Sequence, residues 1–143
     1  DTVYYSIPDL TYKDQSGNKK SILAFKNKLL VLNFFFTRCP GICPKMMSNL
    51  NKVQETFVKD TSVKIISISV DPQFDTPQIL AQYASKYRIV NQKWDLAFAS
   101  KDEVYSFGFY GVKLPADTID KTLHSEKLVL VDKNFNIRGY YAG

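Results

Sequence analysis

Two apolar runs separated by a helical stripe constrain this chain more than any other feature. LLVLNFFF (Leu29 to Phe36) is continuous and rich in residues that favour strands, as a central strand buried on both faces requires. VKIISISVD (Val63 to Asp71) has the same character. Between them, PKMMSNLNKVQETFVKD sets Met46, Met47, Leu50, Val53 and Phe57 on an approximate helical stripe. Pro44 sits in the first turn of that stripe, where a missing N–H costs nothing. Strand, helix and strand in this order predict a parallel unit with a right-handed crossover.

The flanking segments extend the same plan. DQSGNKK carries turn chemistry around Ser16 and Gly17 and lies between SIPDLTY and SILAF, which predicts an N-terminal hairpin and then a short helical turn. The hairpin reads as an accessory to the core. TPQILAQYASKYRI supplies a second helix, with Asp75 or Thr76 as its cap, Asp75 preferred, and Pro77 at its first position. WDLAFAS reads as a short strand, KDEVYSFGFYG as a short helix ending near Gly111, and EKLVLVDKNFNIRGYY as a hairpin turning at Lys133 and Asn134. The expectation is an α/β fold, a central mixed sheet flanked by helices on both sides, in a single domain over residues 1–143.

Composition narrows the class of function. With 45% hydrophobic and 23% charged residues, the chain is neither disordered nor collagen-like. The formal charge is +5, but the lysines run from Lys13 to Lys133 without a dense basic block, which argues against a nucleic-acid partner. No apolar run approaches the roughly 18 residues of a membrane span. The opening DTVYYSIPDL lacks the basic and apolar regions of a signal peptide, and an upstream anchor stays open.

Both cysteines, Cys39 and Cys43, fall in NFFFTRCPGICPKMM, between the first core strand and its helix, each followed by proline. In a parallel unit that loop opens at the carboxyl edge of the sheet, beside a helix N-terminus. Four positions apart, the thiols come within reach of each other if the first helical turn includes them, and the unpaired N–H groups there favour thiolate over thiol. Arg38 adds positive charge. A purely structural disulfide would close too short a loop to remove much chain entropy. The alternative of two reduced, buried cysteines serving as small apolar residues is disfavoured by their shared strand-to-helix loop and flanking prolines, which leaves redox or metal chemistry. Two thiolates are soft ligands; with the only histidine, His124, the chain offers three strong donors. That set suits copper and fits a closed zinc site poorly, while a catalytic zinc with an open position stays possible on count alone.

His124 opens HSEKLVLVD and follows GVKLPADTIDKTL, a polar, proline-bearing excursion. Spacing alone does not bring its imidazole to the cysteines. Met46 and Met47, although soft donors, lie on a helix stripe where methionine is usually core filler. Asp71 ends the second parallel strand at the same edge as the cysteine loop. It is read either as a turn residue before Pro72 or as a carboxylate that orients His124, accepts a thiol proton or contacts a partner. Trp94 and the C-terminal tyrosines read as packing.

Three ordered motifs carry a more specific signal. Thr37, Cys39, Pro40, Cys43 and Pro44 form the first; Ser69, Asp71, Pro72, Asp75, Thr76 and Pro77 the second; His124 and Ser125 the third. In this order the chain resembles the Sco/SenC family of thioredoxin-like copper proteins, over nearly its whole length. The resemblance implies a thioredoxin-like fold with an N-terminal hairpin. It also implies tethering to the outer, periplasmic face of a bacterial inner membrane, or to the mitochondrial inner membrane, through an anchor outside this chain.

By the same resemblance Cys39, Cys43 and His124 are the ligands of copper, as Cu(I) or Cu(II); Asp71 joins them as a supporting candidate from its place at the same edge, not from the resemblance. The role implied is a metallochaperone for the binuclear copper centre of cytochrome c oxidase. Its partners are then the copper-bearing oxidase subunit and other copper chaperones or thioredoxin-like reductants. The chain departs from many relatives in carrying Gly41 where they have an acidic residue, and in ending at Gly143 where they continue into a closing helix. Two enzymatic alternatives stand beside this reading. A thiol:disulfide oxidoreductase acting on an oxidase subunit or other envelope protein would cycle Cys39 and Cys43 through a disulfide. Their three-residue spacer departs from the Cys-x-x-Cys of thioredoxin motifs. A thiol peroxidase would share the fold and the activated cysteine.

Overall fold

Because Leu29–Phe35 has apolar side chains on both faces, it takes the centre of a sheet rather than an edge. A computed structural model describes residues 5–38, 42–113 and 127–142, with the backbone alone at 42, 43 and 142. In chain order the elements are β1 (Thr11–Lys13), β2 (Lys19–Ser21), a 3-10 turn (Ile22–Ala24), β3 (Leu29–Phe35), α1 (Ile42–Phe57), β4 (Val63–Ser69) and α2 (Pro77–Lys86). They continue with β5 (Trp94–Ala97), α3 (Lys101–Ser106), a π-helical turn (Phe107–Gly111), β6 (Lys127–Val131) and β7 (Ile137–Ala142). Five strands form one sheet in the order β5-β4-β3-β6-β7, and β1 pairs with β2 separately.

The predicted parallel unit is present: β3 pairs in parallel with β4 from Leu29 opposite Val63 to Phe35 opposite Ser69, and β4 pairs in parallel with β5. β6 runs antiparallel to β3, and β7 antiparallel to β6. Leu32 stands opposite Val129. Continued two residues, that register sets Lys127, the start of β6, level with Phe34. The chain therefore enters β6 at the same sheet edge where it leaves β3.

Alternation along the strands divides the core into two layers. One face carries Phe35, Ile65, Trp94 and Leu96 against Met46, Met47 and Leu50 of α1 and Leu80 and Tyr83 of α2. The other carries Leu32, Phe34, Ile66 and Ile68 against Val104, Phe107 and the N-terminal segment. Each fully buried aliphatic side chain contributes about 1.5–3 kcal/mol relative to exposure. Phe57, at the end of the α1 stripe, is exposed. No helix among the described residues is long and apolar enough to cross a membrane.

The N-terminal hairpin is more than the accessory its composition implied. Leu10, Tyr12 and Ile22 are buried in the core layer opposite α1. Lys13 and Phe98 exchange both backbone hydrogen bonds, 2.9 and 2.8 Å, and Gln15 Oε1 accepts from Leu96 N at 2.9 Å, so the hairpin closes the β5 edge. Its turn is as expected: Asp14 Oδ1 accepts from Ser16 N and Asn18 N, each at 2.9 Å, and Gly17 takes φ +83°. Three-residue strands around a polar turn look solvated in sequence; here tertiary contact overrides that appearance.

Candidate metal centre

β3 ends at Phe35, and Thr37 and Arg38 lead to the cysteine loop at the carboxyl edge of the parallel strands. Cys39 lies outside the described residues. Cys43 is the second residue of α1, so the helical turn expected to hold it does. His124 also lies outside the described residues, three positions before the first residue of β6. Among the described residues no cluster of three or more His, Cys, Asp or Glu is assembled.

The stem of the cysteine loop is held by two carboxylates from the segment between β4 and α2. Asp75 is fully buried, and its Oδ2 accepts from Thr37 N at 3.1 Å and from Ser69 Oγ at 2.7 Å. Its Oδ1 accepts from Thr37 Oγ1. The expectation that Asp75 caps α2 is corrected: Thr76 is the N-cap, with extended backbone (φ −65°, ψ 164°) and Oγ1 accepting from Ile79 N at 3.4 Å, and Pro77 follows at the first helical position. Once Thr76 supplies the cap, the Asp75 carboxylate is free to turn inward.

The second carboxylate, Asp71, was a candidate supporting residue from sequence. Its Oδ2 accepts from Arg38 Nη2 at 2.7 Å, and the guanidinium stacks 4.1 Å from the centroid of Phe74. The backbone of Asp71 makes the turn that its place before Pro72 implied, its carbonyl accepting from Phe74 N (3.1 Å) and Asp75 N (2.8 Å). Arg38 is thus a paired cation, and the first turn of α1, which holds Cys43, contains no acidic residue to offset the helix dipole.

Beneath α1 a buried polar chain crosses the sheet. Trp94 Nε1 donates to Ser67 Oγ at 2.9 Å, Ser67 donates to Asn33 Oδ1, and Asn33 Nδ2 donates to Met46 Sδ at 3.1 Å. Met46 and Met47 are fully buried, as core filler should be. Trp94 both packs and donates. Sequence reading missed the Asn33–Ser67 link; a polar residue inside each of two otherwise apolar runs was the available signal.

At the start of the segment that carries His124, Lys113 takes φ +59° and the Tyr140 hydroxyl donates to the Val112 carbonyl at 2.7 Å. That segment rejoins the described fold at β6, level with the end of β3. Three chain ends with chemistry to offer therefore share one edge: the exit of β3, the N-terminus of α1 and the entry to β6.

A family model described as SCO1/SenC matches residues 7–143. The chain is similar to the SCO1 protein homolog of Bacillus subtilis (strain 168), at 28% identity over 148 residues that cover 100% of this chain and 77% of that protein. Two further relatives are matched over 42% and 62% of their own length. Among solved structures it is similar to BsSco, a member of the Sco family of cytochrome c oxidase assembly proteins in which a disulfide switch is identified. There the TM-score is 0.83 at 27% identity, covering 99% of this chain and 85% of that one. ScoI of Bradyrhizobium japonicum, solved with copper bound, shares the fold at a TM-score of 0.79 and 22% identity, with 95% of this chain and 88% of that one covered.

Proposed function

The chain belongs to the SCO1/SenC family, and from that premise we propose that it takes up one copper ion at Cys39, Cys43 and His124 and serves the assembly of the copper centre of cytochrome c oxidase. Its fold is the thioredoxin-like one of that family. The observation that supports the proposal is the antiparallel register of β6 on β3, which starts β6, three residues after His124 in sequence, at the sheet edge where β3 ends before Cys39. The donor chemistry fits the cargo: two thiolates and an imidazole form a soft, three-donor set that favours copper. Cys43 in the first turn of α1 has the dipole that stabilises a thiolate. Asp71, paired with Arg38 at the same edge, is the carboxylate that supports the site.

The partner in this reading is the copper-bearing oxidase subunit, met at the outer face of a bacterial inner membrane, or at the mitochondrial inner membrane. The experiment is copper titration of the reduced chain. One copper per chain is expected, and His124→Ala is expected to weaken binding at least about tenfold while leaving the circular dichroism unchanged. Copper held as tightly by His124→Ala as by the parent removes the histidine from the site.

The disulfide switch identified in BsSco favours a second reading, a thiol:disulfide oxidoreductase. One thiolate of the pair attacks a partner disulfide and forms a mixed disulfide; the second then displaces the partner, which leaves reduced while Cys39 and Cys43 leave oxidised, to be re-reduced by a dithiol reductant. A trapped mixed disulfide with a single-cysteine variant supports this reading. Copper binding requires the same pair reduced, so the two activities draw on one redox state.

A further inference from the structure

We propose that Asp75 is a positioning residue for the copper loop: its buried carboxylate fixes the stem that delivers Cys39, acting through Thr37. The inference rests on the copper reading of the cysteine pair and adds a residue to it.

Among the described residues, the hydrogen bonds to the Asp75 carboxylate come from Thr37 and Ser69, and none comes from α2, the helix it precedes. Thr37 gives two of the three. Bonds from its backbone N–H (3.1 Å) and its Oγ1 to the two oxygens of one carboxylate fix both its peptide plane and its side-chain rotamer. Cys39 is two residues further along. The frame that holds the carboxylate is itself rigid. Ser69 ends β4, Asp75 N donates to Asp71 O at 2.8 Å, and Thr76 caps α2 immediately after.

Burying a carboxylate is costly, and an apolar residue of similar size would fill the space without that cost. A carboxylate kept here, spent on the stem of the cysteine loop and not on the adjacent helix, has the geometry of a brace for the ligand. With Thr37 held, the chain enters the cysteine loop from a fixed point; with Thr37 released that point moves, and metal affinity is expected to fall with the lost preorganisation.

The test compares the parent with Asp75→Asn, Thr37→Val, Thr37→Ser and Thr76→Ala. Three readouts are taken: melting temperature, the sulfur-to-copper charge-transfer band with copper affinity, and the rate of iodoacetamide alkylation of the reduced, metal-free chain. Asp75→Asn and Thr37→Val are expected to weaken copper about tenfold, to shift or broaden the band, and to change the alkylation rate several-fold. Thr37→Ser, which keeps the hydroxyl, is expected to restore the parental values. Thr76→Ala, which removes only the helix cap, is expected to melt lower with the parental band. If Asp75→Asn does not fold, Thr37→Val carries the test. A Thr37→Val chain with the parental band and alkylation rate, merely melting lower, overturns the proposal. If the parent takes up no copper, the copper reading fails, and the alkylation arm still decides whether Asp75 positions Cys39.

Discussion

Arg38, the residue before Cys39 in sequence, reaches across the end of the sheet to set Nη2 2.7 Å from Oδ2 of Asp71. The arginine is more than half exposed and the carboxylate partly so, hence the pair contributes at most about 1 kcal/mol to stability. The pairing bears on the next residue in sequence by a general rule: an unpaired guanidinium close to a cysteine favours its thiolate. Asp71→Asn is expected to leave the melting temperature nearly unchanged and to raise the alkylation rate of the metal-free, reduced chain several-fold at neutral pH. An unchanged rate would show that Arg38 does not bear on the thiol.

A buried ionic network ties the N-terminal hairpin to the sheet. Asp95, fully buried, accepts from the Tyr12 hydroxyl at 2.7 Å, from Lys64 Nζ at 3.0 Å and from Lys20 Nζ at 3.0 Å. Burial pushes the Lys64 ammonium below its ordinary pKa, more than the Asp95 charge raises it. Asp95→Ala leaves that buried cation without its carboxylate and is expected to cost about 3–5 kcal/mol in urea unfolding. Tyr12→Phe removes one donor and keeps the packing; about 1–2 kcal/mol is expected. Equal losses for the two variants would contradict the network as drawn.

Acid stability follows from the hairpin turn. Burial alone would raise the Asp14 carboxyl, but the hydrogen bond and charge of Lys20, with the N–H groups of Asn18 and Ser16, hold it below its ordinary 3.8. A carboxyl lowered on folding contributes stability that is whole above its unfolded value and is lost as pH falls through the folded one. The melting temperature is therefore expected to fall below about pH 4. Asp14→Asn, already less stable at neutral pH, is expected to fall less steeply over the same window. Parallel curves for the two chains would remove Asp14 from the acid transition.

Much of this architecture is legible in sequence because periodicity reports burial directly. The run at Leu29 to Phe36 could only be a central strand, and β3 is flanked by β4 and β6. Pro77 and Thr76 mark the start of α2 as capping chemistry dictates. What the sequence conceals depends on pairing across distance. The hairpin looked peripheral because Tyr12 and Ile22 stand in short, polar surroundings, yet both are buried in the core, and the Tyr12 hydroxyl bonds Asp95, 83 residues away. Asp75 looked like a helix cap because Asp, Thr and Pro each suit that place. Only the fold reveals that Thr76 takes the role and that Asp75 faces Thr37. For the candidate site, the strand-to-helix setting of the cysteines was readable locally. That β6, which follows His124 in sequence, begins at the same edge comes from its register on β3, which local pattern does not encode.

The central claim is a donor set, and X-ray absorption at the copper edge measures it most directly. The reduced chain loaded with one equivalent of copper is predicted to show two sulfur scatterers and one imidazole per copper, losing a sulfur in Cys39→Ser and in Cys43→Ser and the imidazole signature in His124→Ala. A copper environment without sulfur, or one left unaltered by all three substitutions, would contradict the account.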